Sequence, residues 1–407
     1  MIAQNPGNFW PVLVLTLSLS LFSACDQKIK PVGDPTQTQG ITETEILLGN
    51  SSPFTGHAQH LGTHNLRGAM IFFNDLNSRG GINGRKIRVI SYDDQYDPPQ
   101  CVLNTQKLLG QDKVFALFNY FGSPTTLKVI PMLEQTKTPL VGVFSGADFL
   151  RNPVKKYIFN IRGSYHLETN RAVMHFVEDL GFKKLAVFYQ NDAFGIDGLK
   201  GTEIALAHYG LKPVAAESYD RGALNVENAA EIIRQSGAEG VVMVALYGPA
   251  SKFIKLLKDA GSPMIFYVVS PVGTSELVKQ LGDKYSDGVI ISHVVPSPDL
   301  DVLSSVREYK MLNERYYPES QPNVVALEGY VNAKVIAEGL TRAGKDLTRE
   351  KFVQALESLR DYSCGIGNPL NFSAENHEGI KSVFFTKIEK GELVFISNFR
   401  EVMEGKV

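Results

Sequence analysis

Three histidines, two adjacent aspartates and a hydroxyl-rich loop are the residues of this chain whose types and spacing could do chemistry. His57, His60 and His64 stand three and four apart, which on a helix puts their rings on one face. Three imidazoles so placed can hold Zn²⁺ or Cu²⁺. Gly56 and Gly62 interrupt a regular helix there, and no Cys or acidic residue lies adjacent, so the expectation is a polar helix start and no metal. Asp93-Asp94 end an apolar run. Neighbours on a strand face opposite sides, so the pair reads as a solvated loop edge rather than an acid/base dyad. Tyr120-Phe121-Gly122-Ser123-Pro124-Thr125-Thr126 follows one apolar run and opens a helical one. First-turn N–H groups of a helix carry partial positive charge, so a carboxylate fits there without a cationic side chain. Plain capping by Ser or Thr is the other reading.

Catalytic patterns are missing. The chain has no His-Glu-x-x-His, no Gly-x-Ser-x-Gly and no Walker A sequence. Gly80-Gly81-Ile82-Asn83-Gly84 is glycine-rich but precedes an apolar run, whereas a dinucleotide fingerprint follows one. No enzyme activity and no cofactor are expected.

The elements that must position these residues alternate. Ile46–Gly49, Ile87–Tyr92, Val114–Asn119 and Pro139–Phe144 read as strands, with helical spacing over Arg67–Leu76, Val102–Leu109 and Thr125–Gln135 between them. A second series has strands at Leu185–Gln190, Gly240–Leu246, Met264–Val269 and Gly288–Val295. Its helices are Gly198–His208, Val226–Ser236 and Ala250–Ala260. Strands alternating with helices imply βαβ units and parallel sheets, and two series imply two doubly wound α/β lobes. Pro298–Tyr317, Ala326–Gly344 and Lys351–Leu359 add helices, and Val383–Glu389 with Glu392–Ser397 reads as a hairpin.

The 407 residues are 43% hydrophobic and 21% charged, with a formal net charge of −2. That is too apolar for a disordered chain and too balanced for a nucleic-acid binder by bulk charge. Three cysteines exclude a disulfide scaffold. Pro11–Phe22 is apolar but shorter than the ~20 residues that span a bilayer, which fits the core of an export signal. It ends in Leu21-Phe22-Ser23-Ala24-Cys25, which resembles the bacterial lipobox, where the cysteine is acylated and becomes the mature N-terminus. Residues 1–24 are then a signal peptide and 25–43 a lipidated tether. A plain cleaved signal with an incidental cysteine is the alternative. Cys101 and Cys364 remain, and the spacing leaves open whether they pair.

Ser52-Pro53-Phe54-Thr55-Gly56, Arg67-Gly68-Ala69, Asn77 to Lys86 and Tyr92-Asp93-Asp94-Gln95 with Asp97-Pro98 stand in a distinctive order. With Pro139-Leu140-Val141, Tyr157 to Arg162, Asp192-Ala193-Phe194-Gly195 and Asp259-Ala260-Gly261, the chain resembles leucine/isoleucine/valine-binding-type periplasmic proteins. These are type I solute-binding components of ABC importers. The resemblance runs from about Glu45 to Asn398. It implies two lobes, 44–162 plus 295–372 and 163–294 plus 373–407, joined by a three-crossing hinge and closing on a ligand in the cleft.

The same resemblance supplies site residues. Ser123 and Thr125 would take a ligand carboxylate, and Ser145 with the Gly146 backbone would add a hydroxyl and a carbonyl. Phe54, Tyr120, Tyr165, Phe194 and Tyr247 would wall the cleft. Ser270 stands where amino-acid-binding members carry an acid facing the α-ammonium. Either Asp148 or Asp192 replaces that acid, or the ligand is not a simple amino acid, since a buried ammonium without an acid is costly. The implied partners are a small polar solute, a membrane permease and ATPase subunits, with a lipid anchor, no nucleic acid and a monomeric state. A ligand sensor signalling to a membrane receptor is the alternative.

Overall fold

A computed structural model describes Met1 and residues 38–403. Residues 2–37, with the rest of the expected signal peptide and Cys25, lie outside the described residues.

The first series is β1 (Glu45–Ser52), α1 (Gln59–Ser78), β2 (Lys86–Asp93), α2 (Pro98–Gly110), β3 (Ala116–Phe118), α3 (Ser123–Thr136), β4 (Leu140–Val141) and β5 (Ile158–Phe159). The second begins with α4 (Tyr165–Met174), β6 (Leu185–Gln190), α5 (Ala193–Ala207), β7 (Ala215–Tyr219) and α6 (Glu227–Gln235). It continues with β8 (Gly240–Val244), α7 (Tyr247–Asp259), β9 (Ile265–Val268), α8 (Thr274–Ser286) and β10 (Ile290–His293). Then come α9 (Ser304–Tyr316), α10 (Val324–Ala343), α11 (Arg349–Glu357), the short β11 (Tyr362–Ser363) and β12 (Pro369–Leu370), and the hairpin β13 (Phe384–Glu389) with β14 (Glu392–Ile396).

Two sheets result. One is wholly parallel, in the order β2-β1-β3-β4-β5. The other runs β7-β6-β8-β9-β10 in parallel and is extended by antiparallel β13 and β14. The central strand β8, Gly-Val-Val-Met-Val, is buried along its whole length, as a strand covered by helices on both faces must be. Each parallel set has the same doubly wound order, which reverses direction beside its first strand. Ligands bind beyond the carboxyl ends of the strands at that reversal. The loops after β1 and β3, and those after β6 and β8, are therefore the ones positioned to receive a ligand.

The chain passes between the sheets at 160–164, 294–303 and 371–383. The first and third passages pair: the Gly379 N–H donates to the Asn160 carbonyl at 2.8 Å and the Ile380 N–H to that of Ile161 at 2.9 Å. Helices α9 and α10 pack on α1, and α11 on α10. A Cβ on Gly68 would lie 1.7 Å from the Ala326 carbonyl, and one on Gly329 would lie 1.8 Å from that of Asn65. The α1–α10 contact is thus backbone against backbone.

Three differences from the sequence reading stand out, and the open question of the two cysteines is answered. Helix α1 starts at Gln59 rather than near Arg67, because Gly62 does not break it. A Cβ there would lie 2.1 Å from the Pro53 carbonyl, so the glycine admits the loop after β1. Helices α4 and α8 and strands β5, β7, β11 and β12 go beyond the sequence reading. Asp94 is fully buried rather than solvated. It accepts from the Ser51 hydroxyl at 2.7 Å and the Tyr96 N–H at 2.9 Å, and burial pushes its carboxyl up to about 7. Cys101 and Cys364 are both free and buried, in separate core clusters.

Candidate functional site

Helix α3 opens at Gly122, whose φ of +90° and close approach to the Tyr96 ring (2.2 Å from where a Cβ would sit) require glycine. No side chain caps this helix, so Ser123 is not spent on capping. Its hydroxyl lies 2.7 Å from that of Ser145, which also accepts the Ala147 N–H at 3.2 Å. Both serines are fully buried. From the other side, the Tyr165 hydroxyl faces both. Tyr165 is the first residue of α4, whose start is capped by Ser164 accepting the Leu167 N–H at 3.2 Å. Burial pushes the Tyr165 hydroxyl up, opposed by the nearby Arg162 charge, so it stays protonated and able to donate.

The remaining expected residues fall into three groups. Phe194, at the start of α5, meets Tyr165 edge-to-face at 5.2 Å, and Gly146 lets Tyr165 approach within 2.5 Å of where a Cβ would sit. Phe54 is half-buried at the end of β1, its N–H donating to Asp93 at 2.8 Å. Tyr247 starts α7 and faces the His60 ring, 6.3 Å away. Thr125 is buried nearby, but its hydroxyl donates back to the Phe121 and Gly122 carbonyls. Ser270 gives its N–H and hydroxyl to Glu168, at 2.8 and 2.9 Å, and receives the Arg162 guanidinium. Tyr120 is the correction. Its ring lies in the outer core with Cys101, Val129 and Leu133, and its hydroxyl sits 3.0 Å from that of Thr105.

Successive residues of an extended segment point opposite ways, so the cleft-side aromatic is the next residue, Phe121. It stacks on Phe144 at 5.3 Å and meets Tyr96 edge-to-face at 5.0 Å. Sequence reading also missed the charged floor. Arg162 is fully buried over the Phe144 ring at 4.6 Å, with Glu328 at 3.6 Å and Glu168 at 3.9 Å. Burial lifts Glu328 to about 7 although Arg162 pulls it down. The order of apolar residues carried no trace of these three, because their partners come from α4, α10 and the passage after β5.

Both lobes also meet through further polar contacts. Gln190 donates to the Tyr96 hydroxyl at 3.3 Å and to Asp192 at 2.7 Å, and the Asp148 N–H donates to Asp197 at 3.0 Å. A cavity of about 400 Å³ opens there, lined by His57 from one lobe and by Gln190, Leu246, Tyr247, Pro249 and Lys255 from the other. His60 and His64 stack at 3.9 Å. Burial pushes His64 down to about 3, and among the described residues no group of three His, Cys, Asp or Glu is placed to hold a metal.

Two doubly wound lobes on a three-stranded passage, with polar loops of both meeting over Ser123 and Tyr165, define a two-lobed solute-binding protein. The chain belongs to the periplasmic binding protein family, whose model matches residues 45–392. It is similar to an "Amino acid binding protein" of Pseudomonas aeruginosa, 28% identical over 61% of this chain and 67% of that protein. It is also similar to "Leu/Ile/Val-binding protein homolog 7" of Brucella abortus, 22% identical over 86% of this chain and 91% of the relative. A solved structure of a possible leucine/isoleucine/valine-binding protein from Rhodopirellula baltica superposes with a TM-score of 0.84 at 28% identity, covering 91% of this chain and 100% of that one. The family is extracytoplasmic and binds rather than catalyses. Among the described residues no helix is long and apolar enough to cross a membrane.

Proposed function

We propose that this chain is the solute-capturing component of an ABC importer. Its lobes, 44–162 with 295–372 and 163–294 with 373–407, close on a small polar solute: a branched-chain or other amino acid, an amide or a carboxylate. The closed complex docks as a monomer on a permease, whose ATPase subunits supply the energy. An acylated Cys25 holds it at the membrane, since each buried methylene contributes ~0.8 kcal/mol.

One observation carries the ligand reading. Three hydroxyls, from Ser123, Ser145 and Tyr165, converge between the lobes with no capping duty and each can donate. Ser123 and Ser145 come from loops beyond the carboxyl ends of β3 and β4, the edge of the sheet where such folds take ligands. The test is a thermal-shift screen of the purified protein against amino acids, amides and carboxylates. A ligand at 100 times its Kd should add ~2.7 kcal/mol. Replacing Ser123 and Ser145 together by alanine should weaken that ligand at least roughly tenfold, ~1.4 kcal/mol. Unchanged affinity in the double variant would remove the assignment. Cys25→Ser should release the protein from membranes, read by fractionation; a variant that still sediments with them would remove the anchor.

A further inference from the structure

The cleft floor has many acceptors, and nearly all of them are taken. After β4, the Gly146 carbonyl accepts the Tyr165 N–H at 2.8 Å. The Ser145 and Ala147 carbonyls accept the Arg151 guanidinium at 3.3 and 2.9 Å. Glu168 accepts from the Ser270 hydroxyl with one oxygen, and from the Ser270 N–H and the Ser292 hydroxyl with the other. Asp192 is taken by Gln190 and the Phe194 N–H. The exceptions lie beside resident nitrogens: Glu328 takes no hydrogen bond and faces Arg162 at 3.6 Å, and one Asp197 oxygen faces His166 at 3.7 Å.

Donors are in the opposite condition. The Ser123, Ser145 and Tyr165 hydroxyls face chiefly one another and can each turn a proton to an anion. Arg162 Nη1 is buried without a hydrogen-bond partner. An incoming ammonium at Glu168, Asp192 or these carbonyls would have to displace a resident donor and leave it unpaired, and one at Glu328 would sit beside the buried Arg162 guanidinium. An incoming carboxylate only exchanges hydroxyl–hydroxyl bonds for stronger charge-assisted ones.

We propose that the cleft selects a carboxylic acid that carries no free α-ammonium. The inference rests on the function proposed above and narrows its ligand class: the Arg162 guanidinium occupies, between Glu168 and Glu328, the counter-charge that an amino acid's ammonium would need. The apolar part of such an acid meets Phe121, Phe144 and Phe194.

The test titrates the purified protein calorimetrically with acids paired to amino acids of the same skeleton: isocaproate against leucine, hydrocinnamate against phenylalanine, propanoate against alanine. At least one acid should bind roughly tenfold or more tightly than its amino counterpart. Ser145→Ala should weaken that acid about tenfold, measured per folded molecule well below the variant's melting temperature. An amino acid binding as well as its paired acid overturns the inference and leaves solute capture standing. So does binding of an amide alone. Silence from every acid, amino acid and amide overturns both.

Discussion

Asp94 shows what a single buried carboxyl does to this protein. It sits where β2 ends, held by Ser51 and the Tyr96 N–H, and burial lifts it from 3.8 to about 7. The native state therefore holds this proton more tightly than the unfolded chain. The sign follows: its contribution is most favourable below about pH 4 and is lost as pH rises toward 7. Asp94→Asn keeps an acceptor for Tyr96 and a donor toward Ser51, so the variant should flatten that dependence, by up to ~4 kcal/mol across the window. Calorimetry at pH 5 and pH 8 reads it, and a variant with the parental slope would show that another group sets it. The same residue shows the limit of pattern reading. Alternation put Asp93 and Asp94 on opposite faces, but it carried no information that α2 would close over one face and seal it. Tyr120 failed likewise by a single position. The strand was legible, but which side of its exit faced the cleft was not, and Phe121 took the place expected of its neighbour.

At the scale of elements, what was legible depended on burial on two faces. The runs at β6, β8 and β9 stand out because helices cover both sides of those strands and nearly every position is apolar. Strand β7 is an edge with residues such as Glu217 only half-buried, and α4 begins Tyr-His-Leu-Glu-Thr-Asn-Arg, a polar opening without a helical stripe. Its buried Glu168 is a cleft acid rather than a core residue, so function hid the helix. Helix α8 is broken at Gly282, with φ of +61°. The α1–α10 crossing was legible only as two helices, yet its closeness depends on Gly68 and Gly329. Gly68→Ala places a methyl into the Ala326 carbonyl, which backbone cannot evade cheaply. The variant should lose roughly 1–3 kcal/mol by overpacking, measured by denaturant unfolding, and keep its ligand affinity per folded molecule. A loss below ~0.5 kcal/mol would mean that the helices separate freely.

At the scale of the whole molecule, closure is an equilibrium that a ligand biases only through contacts present in one form. The lobes touch through several polar links, among them Arg162 to Ser270, the Tyr165 N–H to Gly146, Gln190 to Tyr96, and the partly buried Asp148 N–H to Asp197 bond, which does not involve the hydroxyl triad. Asp197 caps nothing within its own helix, and its second oxygen faces His166 at 3.7 Å. Asp197→Ala should therefore remove a tie between lobes while leaving the ligand's own partners in place. The unliganded variant should be more open, with a larger radius of gyration in solution scattering than the parent. Ligand should bind about fivefold more weakly, the ~1 kcal/mol worth of one hydrogen bond, through faster release rather than slower capture. Saturating ligand should return both proteins to the same compact dimension, because it restores what the Asp148–Asp197 bond gave. A variant whose unliganded dimension equals the parent's would show that the passages at 160–164 and 371–383, already bonded to each other, set the closure angle by themselves.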